Sequence, residues 1–146
     1  MKALFALLAL VLLPSGLAAQ ARVLSSAEIA KAFQSIPSVP PTNREVLTED
    51  KYALKVAVLE NRRGPGELHE TEDRLFFVLK GSGAVCAGGN LAAPKSIAPH
   101  ELQGPDLPGC VALPMQPGSV ISVPRGTPYR MEAEKSRVEF LVVRIR

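Results

Sequence analysis

From Lys51 onward, short apolar runs alternate with clusters of glycine and proline, and this pattern limits the fold more than any other feature. The runs are rich in Val, Phe, Ile and Leu, and they read YALKVAVLE, RLFFVLK, AVCA, CVALPM, SVISV and RVEFLVVRI. The clusters between them include RRGPGE, KGSG, QPGS and PRGTP. Many short strands with regular turn signals are typical of an antiparallel sandwich or barrel. We therefore expect an all-β domain over residues 51–146.

The run RLFFVLK is apolar on both faces of the strand that it predicts. Phe76 and Val78 share one face, and Leu75, Phe77 and Leu79 share the other. A strand with two apolar faces has to be covered twice, by the barrel interior and from outside. The N-terminal helix and a second subunit are the two candidates for the outer cover. The second of these makes a homodimer an expectation.

The first 21 residues have the pattern of a secretory signal peptide. Lys2 precedes an apolar run over residues 3–13, helix breakers follow, and Ala19-Gln20-Ala21 offers small residues at the spacing of a cleavage site. The run is short for a membrane span, which needs about 20 residues. We expect cleavage near Ala21, a periplasmic or secreted protein, and no membrane attachment after cleavage. A retained single-span anchor is the alternative.

Residues 22–50 are expected to form a short helix and an extended linker. Ser25 and Glu28 have the spacing of a capping box, and an apolar stripe at helical spacing follows. The helix is predicted from about Ser26 to Ser35, because a proline comes soon after. The stretch SVPPTNREVLTED is expected to connect the helix to the barrel in an extended conformation.

Residues 88–109 are rich in proline and glycine and predict a long loop inserted in the sheet. The two cysteines of the chain, Cys86 and Cys110, flank this segment. Their spacing resembles no zinc motif, and in an oxidising compartment they can form one disulfide. The alternative is two separate core residues, since a free cysteine packs like a small apolar side chain.

The charge pattern does not suggest a nucleic-acid partner. The net charge is +3, and removal of residues 1–21, which contain Lys2 and no acid, leaves +2. A nucleic-acid surface needs a clustered basic face with stacking aromatics. Here the basic residues are scattered among acids, tryptophan is absent, and aromatic residues make up 5% of the chain. We expect a solvated surface.

Two spaced motifs resemble those of the cupin superfamily. The second cupin motif is a glycine, five residues, Pro-x-Gly, two residues, a histidine, three residues and an asparagine. The stretch GSVISVPRGTPYRMEA matches its glycines and proline with Gly118, Pro124 and Gly126. Tyr129 stands at the histidine position and Ala133 at the asparagine position. The resemblance implies a jelly-roll-like antiparallel barrel.

The first cupin motif has two histidines, a glutamate and a glycine. Counting back from Gly81 puts Arg74 at the glutamate position and Glu67 and His69 at the histidine positions. The frame of the family therefore matches over residues 52–145, while three of its four usual metal ligands are replaced.

The resemblance implies that Glu67, His69, Arg74 and Tyr129 converge inside the barrel, because residues two apart on a strand point the same way. A guanidinium has no acceptor and cannot ligate a metal. The usual site takes three histidines, whereas this chain has two, His69 and His100. We therefore expect no metal and no other cofactor. We also expect an internal ion pair between Glu67 and Arg74.

Three functions remain open from the sequence. The first is a metal-free domain that binds a small polar or anionic molecule in the barrel mouth, where Arg74 supplies charge and Glu67, His69 and Tyr129 supply hydrogen bonds. The second is a metal-dependent enzyme, an isomerase or a dioxygenase, in which Glu67, His69 and His100 hold a divalent transition metal. The third is a structural or interaction module without a small ligand.

Overall fold

The computed structural model describes residues 21–146, which form one helix and ten strands. The helix is α1 (Ser26–Gln34). The strands are β1 (Asn43–Thr48), β2 (Tyr52–Arg63), β3 (Gly66–His69), β4 (Asp73–Gly81), β5 (Gly83–Ala87), β6 (Lys95–Ala98), β7 (Glu101–Gly104), β8 (Val111–Met115), β9 (Val120–Val123) and β10 (Tyr129–Ile145). Within this range no helix is long and apolar enough to cross a membrane. The predicted signal peptide lies, except for its last residue, outside the described residues and stays a prediction.

All ten strands belong to one curled antiparallel sheet, and β10 organises it. The main path runs β1-β2-β10-β3-β7-β6, while β4 and β5 also pair with β10, β9 pairs with β4, and β8 pairs with β5. The register of β10 against β2 shifts between Ala133 and Arg137. Before this irregularity β10 pairs with β5, and after it β10 pairs with β4. The antiparallel barrel expected from the sequence is confirmed.

The inner face of the sheet carries the hydrophobic core. Phe76 and Val78 of β4 are buried there, as the alternation of RLFFVLK predicts, and Val138 and Phe140 of β10 pack with them. The ring of Phe76 meets Tyr129 edge to face at a centroid distance of 5.5 Å. Each fully buried side chain of this size contributes about 1.5–3 kcal/mol to folding. Because Phe76 and Tyr129 also line the cavity described below, the core lies directly beneath that cavity.

The outer face of β4 is only partly covered. Leu75 and Phe77 are half-buried, and Leu79 remains 41% exposed. The main contacts of α1 are with β1 and β2. Because β10 separates β2 from β4 in the sheet, the helix does not lie over this face.

Helix α1 begins where the capping box predicts. The backbone N–H of Glu28 donates to Ser25 Oγ, and the backbone N–H of Ser25 donates to the Glu28 carboxylate. Both bonds satisfy donors that a helix N-terminus otherwise leaves free. The helix ends at Gln34, one residue before the predicted end, and it buries Ala32 against the sheet.

Two segments contain more regular structure than the sequence predicts. The proline-rich connection before the barrel includes β1, which pairs with β2, so the sheet begins before residue 51. Residues 88–109 are not a plain loop, because they contain the hairpin of β6 and β7, and β7 pairs with β3. These short strands lack a strong apolar alternation and depend on pairing with strands distant in sequence.

Cys86 and Cys110 form a disulfide in the structure, with their Cα atoms 5.4 Å apart. Cys86 lies in β5, and Cys110 immediately precedes β8, the strand that pairs with β5. The bond therefore closes the segment that contains the β6–β7 hairpin.

The glycines that matched the second cupin motif both lie in turns of the chain. Gly118 has φ 86° and Gly126 has φ 75°, in the region that favours glycine. The N–H of Gly126 donates to the carbonyl of His69 at 2.8 Å. The turn before β10 is thereby joined to the end of β3, where the candidate site lies.

Candidate functional site

The four side chains predicted to converge do meet in the barrel. Tyr129 donates its hydroxyl to Glu67 Oε2 at 3.0 Å, and His69 Nε2 lies 3.4 Å from the same oxygen. On the other side of the imidazole, Arg74 Nη2 lies 2.9 Å from His69 Nδ1. All four line one cavity of about 220 Å³.

The strand register explains why these residues meet. Tyr129 of β10 is paired with Glu67 of β3, and His69 is paired with Glu101 of β7. On β4, Arg74 is the inward-facing residue that precedes Phe76, so its guanidinium lies above the core. Alternation along each strand then directs these polar side chains into the same space.

The contact with Arg74 defines the tautomer of His69. A guanidinium carries only donors, so His69 Nδ1 has to be the acceptor of this bond. The neutral imidazole therefore carries its proton on Nε2, which faces Glu67 and the hydroxyl oxygen of Tyr129 at 3.4 and 3.3 Å.

The protonation states of Glu67 and Tyr129 follow from their surroundings. Burial raises the pKa of Glu67, but hydrogen bonds from His69 and Tyr129 and the charge of Arg74 outweigh it, and the pKa is lower than usual. Burial and the charge of Glu67 raise the pKa of Tyr129 well above its ordinary value. At neutral pH, Glu67 is an ionised acceptor and Tyr129 is a neutral donor.

The predicted ion pair between Glu67 and Arg74 is wrong. Arg74 Nη1 lies 2.9 Å from Glu72 Oε2, and Arg74 Nη2 lies 3.9 Å from Glu101 Oε1. Neither carboxylate oxygen of Glu67 lies within 4 Å of the Arg74 guanidinium in the part of the chain that the structure describes. The carboxylates nearest to Arg74 come instead from the turn before β4 and from β7.

The contact between Glu72 and Arg74 is an ion pair without hydrogen-bond alignment. Glu72 Oε2 and Arg74 Nη1 are both buried, and neither has a well-directed hydrogen bond to protein. Arg144 Nε lies 3.9 Å from the same Glu72 oxygen and is also without one. Glu72 is therefore held by charge attraction to Arg74 and Arg144 at Oε2, and by a hydrogen bond of 3.3 Å from Arg146 Nε at Oε1.

The sequence prediction missed four charged residues of the site: Lys55, Glu72, Glu101 and Arg144. Lys55 and Arg144 line the cavity from β2 and β10. The alternation of YALKVAVLE places Lys55 on the face opposite Leu54 and Val56, which predicts solvent exposure, whereas the structure turns that face, with Ala57 and Leu59, into the barrel. Glu101 was hidden because its strand was interpreted as part of a loop.

His100 does not line this cavity. It occupies the turn between β6 and β7 with φ 63°, and its Nδ1 lies 3.2 Å from a carboxylate oxygen of Glu70 at the surface. The metal set of Glu67, His69 and His100 considered for an enzyme is therefore not assembled.

A different trio has the composition of a metal site. His69, Glu72 and Glu101 each offer one ligand atom, and these atoms lie within 4.8 Å of one another. The guanidinium of Arg74 lies against all three side chains. A metal cation there would share its ligands with a fixed positive charge, so the donor set does not fit a metal while Arg74 is in place.

No family model and no curated protein matches the sequence. Solved structures do match, among them an uncharacterized conserved protein with a double-stranded beta-helix domain from Klebsiella pneumoniae, at a TM-score of 0.59 and 11% identity. That match covers 86% of this chain and 90% of the other.

Two further structures have the same fold. A cupin-2 domain containing protein from Shewanella frigidimarina matches at a TM-score of 0.53 and 14% identity, over 77% of this chain and 88% of the other. KdgF from Halomonas sp. matches at a TM-score of 0.54 and 14% identity, over 75% of this chain and 84% of the other.

These likenesses define the class of the protein as a cupin-fold β-barrel. The resemblance of the sequence motifs to the cupin superfamily is confirmed at the level of the fold. At 11–14% identity the likenesses do not extend to activity.

Proposed function

We propose that this cupin-fold protein binds a small polar or anionic molecule in its barrel cavity without a metal ion. The observation that carries the proposal is the position of Arg74. Its guanidinium contacts His69 and Glu72 at 2.9 Å. The positive charge inside the barrel therefore belongs to the protein itself and not to a metal ion. The cavity next to it keeps hydrogen-bonding groups that the charge cluster does not use.

The size and lining of the cavity support a small ligand. Its volume of about 220 Å³ is smaller than the roughly 300–1,000 Å³ typical of pockets for drug-sized molecules. Glu67, His69 and Tyr129 converge on it from two strands, beside the apolar surfaces of Phe76 and Met131. A few polar groups that converge in a partly apolar concavity are the usual composition of a binding site.

A screen of polar metabolites by thermal shift tests the proposal. We expect a saturable rise in the melting temperature with at least one compound, reduced in Glu67→Gln and Tyr129→Phe. Tyr52→Phe is the matched control, because Tyr52 lies at the exposed start of β2. No stabilisation by any compound would instead favour a structural or interaction module.

We also propose that the protein is exported, on the pattern of residues 1–21. Mass spectrometry of the protein recovered from its native compartment should find an N-terminus within a few residues of Arg22. A protein that still begins at Met1 would contradict export by cleavage.

A metal-dependent enzyme is the second candidate, and the proximity of His69, Glu72 and Glu101 favours it. Elemental analysis of the purified, untagged protein distinguishes the two candidates. Stoichiometric Mn, Fe, Ni or Zn that is lost in His69→Ala would support the enzyme and overturn the metal-free proposal. Arg74 would then have to move away from His69 to admit the ion.

A further inference from the structure

The cations of the cavity differ in whether the protein neutralises them. Arg74 lies within 4 Å of carboxylate oxygens of both Glu72 and Glu101. Arg144 lies 3.6 Å from Glu45 and 3.9 Å from Glu72. Neither guanidinium is therefore a free partner for the charge of a ligand.

Lys55 is different. It lines the same cavity and is half-buried, yet within residues 21–146 its ammonium has no hydrogen bond and no carboxylate within 4 Å. Glu45, its partner in the register of β1 and β2, is engaged by Thr48 and Arg144. Burial and then the charge of Arg144 lower the pKa of Lys55, and the charges of Glu45 and Glu101, which do not contact its ammonium, offset this only in part.

Glu67 has the opposite property, because one of its two carboxylate oxygens is an acceptor that no donor in the described part of the chain reaches. Both of its contacts, with Tyr129 and His69, go to the same oxygen, Oε2. No protein donor in the described part of the chain reaches Oε1, and the side chain keeps about 30% of its surface exposed. An ionised carboxylate can accept at both oxygens, so Glu67 can still accept a hydrogen bond from a ligand.

We propose that the ligand is a small hydroxycarboxylate, with its carboxylate on Lys55 and a hydroxyl donating to Glu67 Oε1. This inference rests on the proposed binding function and gives it a ligand class. A hydroxyl is the uncharged donor that Oε1 lacks, and it leaves the ligand's carboxylate as the one charged group to be matched, by Lys55. The carboxylate supplies the counterion that Lys55 lacks.

Three six-carbon probes separate the two parts of the recognition. Gluconate has a carboxylate and hydroxyls, sorbitol has only hydroxyls, and hexanoate has only a carboxylate. Calorimetric titration of each into the full mature chain should show gluconate binding more tightly than either of the others. Lys55→Met should weaken gluconate binding by about tenfold or more, as expected for loss of a charge-assisted hydrogen bond.

The variants are chosen so that folding and binding can be told apart. Lys55→Arg keeps the charge and should keep most of the affinity. Lys51→Met removes a lysine that is exposed just before the same strand and should bind gluconate like the wild type. Since Lys55 makes no ion pair, Lys55→Met should melt at or above the wild-type temperature, which excludes unfolding as the cause of weaker binding.

Three results would overturn the inference. The first is that Lys55→Met binds gluconate as tightly as the wild type does. The second is that the wild type binds sorbitol or hexanoate as tightly as gluconate. The third is that the wild type shows no saturable binding of gluconate. If the metabolite screen finds a ligand that depends on Glu67 and Tyr129 but not on Lys55, the binding function stands and the hydroxycarboxylate assignment fails. If no compound binds at all, both fail.

Discussion

Arg74 Nη2 lies 2.9 Å from Nδ1 of His69, at the position where the cupin motif has a metal-ligating glutamate. The guanidinium donates to the lone pair of Nδ1, so the neutral imidazole carries its proton on Nε2, which faces Glu67. It also contacts Glu72 and Glu101, which otherwise repel each other inside the barrel. One substituted residue therefore orients the histidine and neutralises the acids.

Removal of the Arg74 charge should destabilise the fold. Arg74→Met removes a buried counterion from two half-buried acids, Glu72 and Glu101, of which Glu72 keeps contacts with Arg144 and Arg146. Breaking a fully buried pair costs about 3–5 kcal/mol, so we expect a loss below that range. Urea unfolding measures the loss. Lys51→Met is the matched control, because Lys51 is exposed and makes only one long contact, 3.7 Å to Asp50. Equal stability of Arg74→Met and the wild type would show that the charge cluster is not structural.

Replacement of Arg74 by glutamate should create metal dependence. Arg74→Glu places a third acid beside Glu72 and Glu101 and should melt lower than the wild type in metal-free buffer. Zn²⁺ or Mn²⁺ should recover part of this loss, because an ion that binds only the folded state stabilises it. The wild type should not respond to either ion. Metal stabilisation of the wild type would contradict the metal-free proposal.

Tyr129→Phe should change the response of the protein to acid. In the wild type the pKa of Glu67 is lower in the folded state than its ordinary value of 4.5, so its stabilising contribution is present above that value and is lost as the pH falls through the folded pKa. Without the Tyr129 hydroxyl this pKa rises, and acid destabilisation should begin at a higher pH. Carboxyl NMR of Glu67 measures the pKa, with Tyr52→Phe as the control. An unchanged Glu67 pKa would argue against the hydrogen bond.

The disulfide should stabilise the protein by restricting the unfolded chain. Cys86 and Cys110 are 24 residues apart, and closing a loop of this length is worth about 3 kcal/mol in the loop-entropy model. The Cys86→Ser/Cys110→Ser double variant should lose about that much in urea unfolding. Thiol titration of the denatured, unreduced protein should find no free thiol. Two thiols per chain would show that the bond does not form.

The outer face of β4 predicts a homodimer. Leu75, Phe77 and Leu79 need cover, and α1, the other candidate, packs mainly on β1 and β2. Light scattering at micromolar concentration should give twice the chain mass, and Leu79→Lys should shift the equilibrium toward monomer. Val23→Lys is the control, since it makes the same kind of change at an exposed position before α1, and α1 packs mainly on β1 and β2 rather than on β4. A monomeric wild type would remove the need for a partner.

The sequence by itself determined those features that depend on neighbouring residues. The alternation of RLFFVLK placed Phe76 and Val78 inside, and the capping box located the start of α1. The resemblance to the cupin motifs also implied that Glu67, His69, Arg74 and Tyr129 converge, while strand alternation alone accounts for Glu67 and His69, which are two residues apart.

Only the tertiary structure decided how these residues are paired. Arg74 pairs with Glu72 and Glu101 and not, as the sequence suggested, with Glu67. Glu101 reaches Arg74 because β7, the strand that carries it, forms by pairing with β3. Likewise, the structure turns the face of β2 that carries Lys55 into the barrel, and whether a carboxylate reaches it depends on β1 and β10. Such charge pairing is set by contacts between strands far apart in sequence, and a local pattern carries no information about the distances between them.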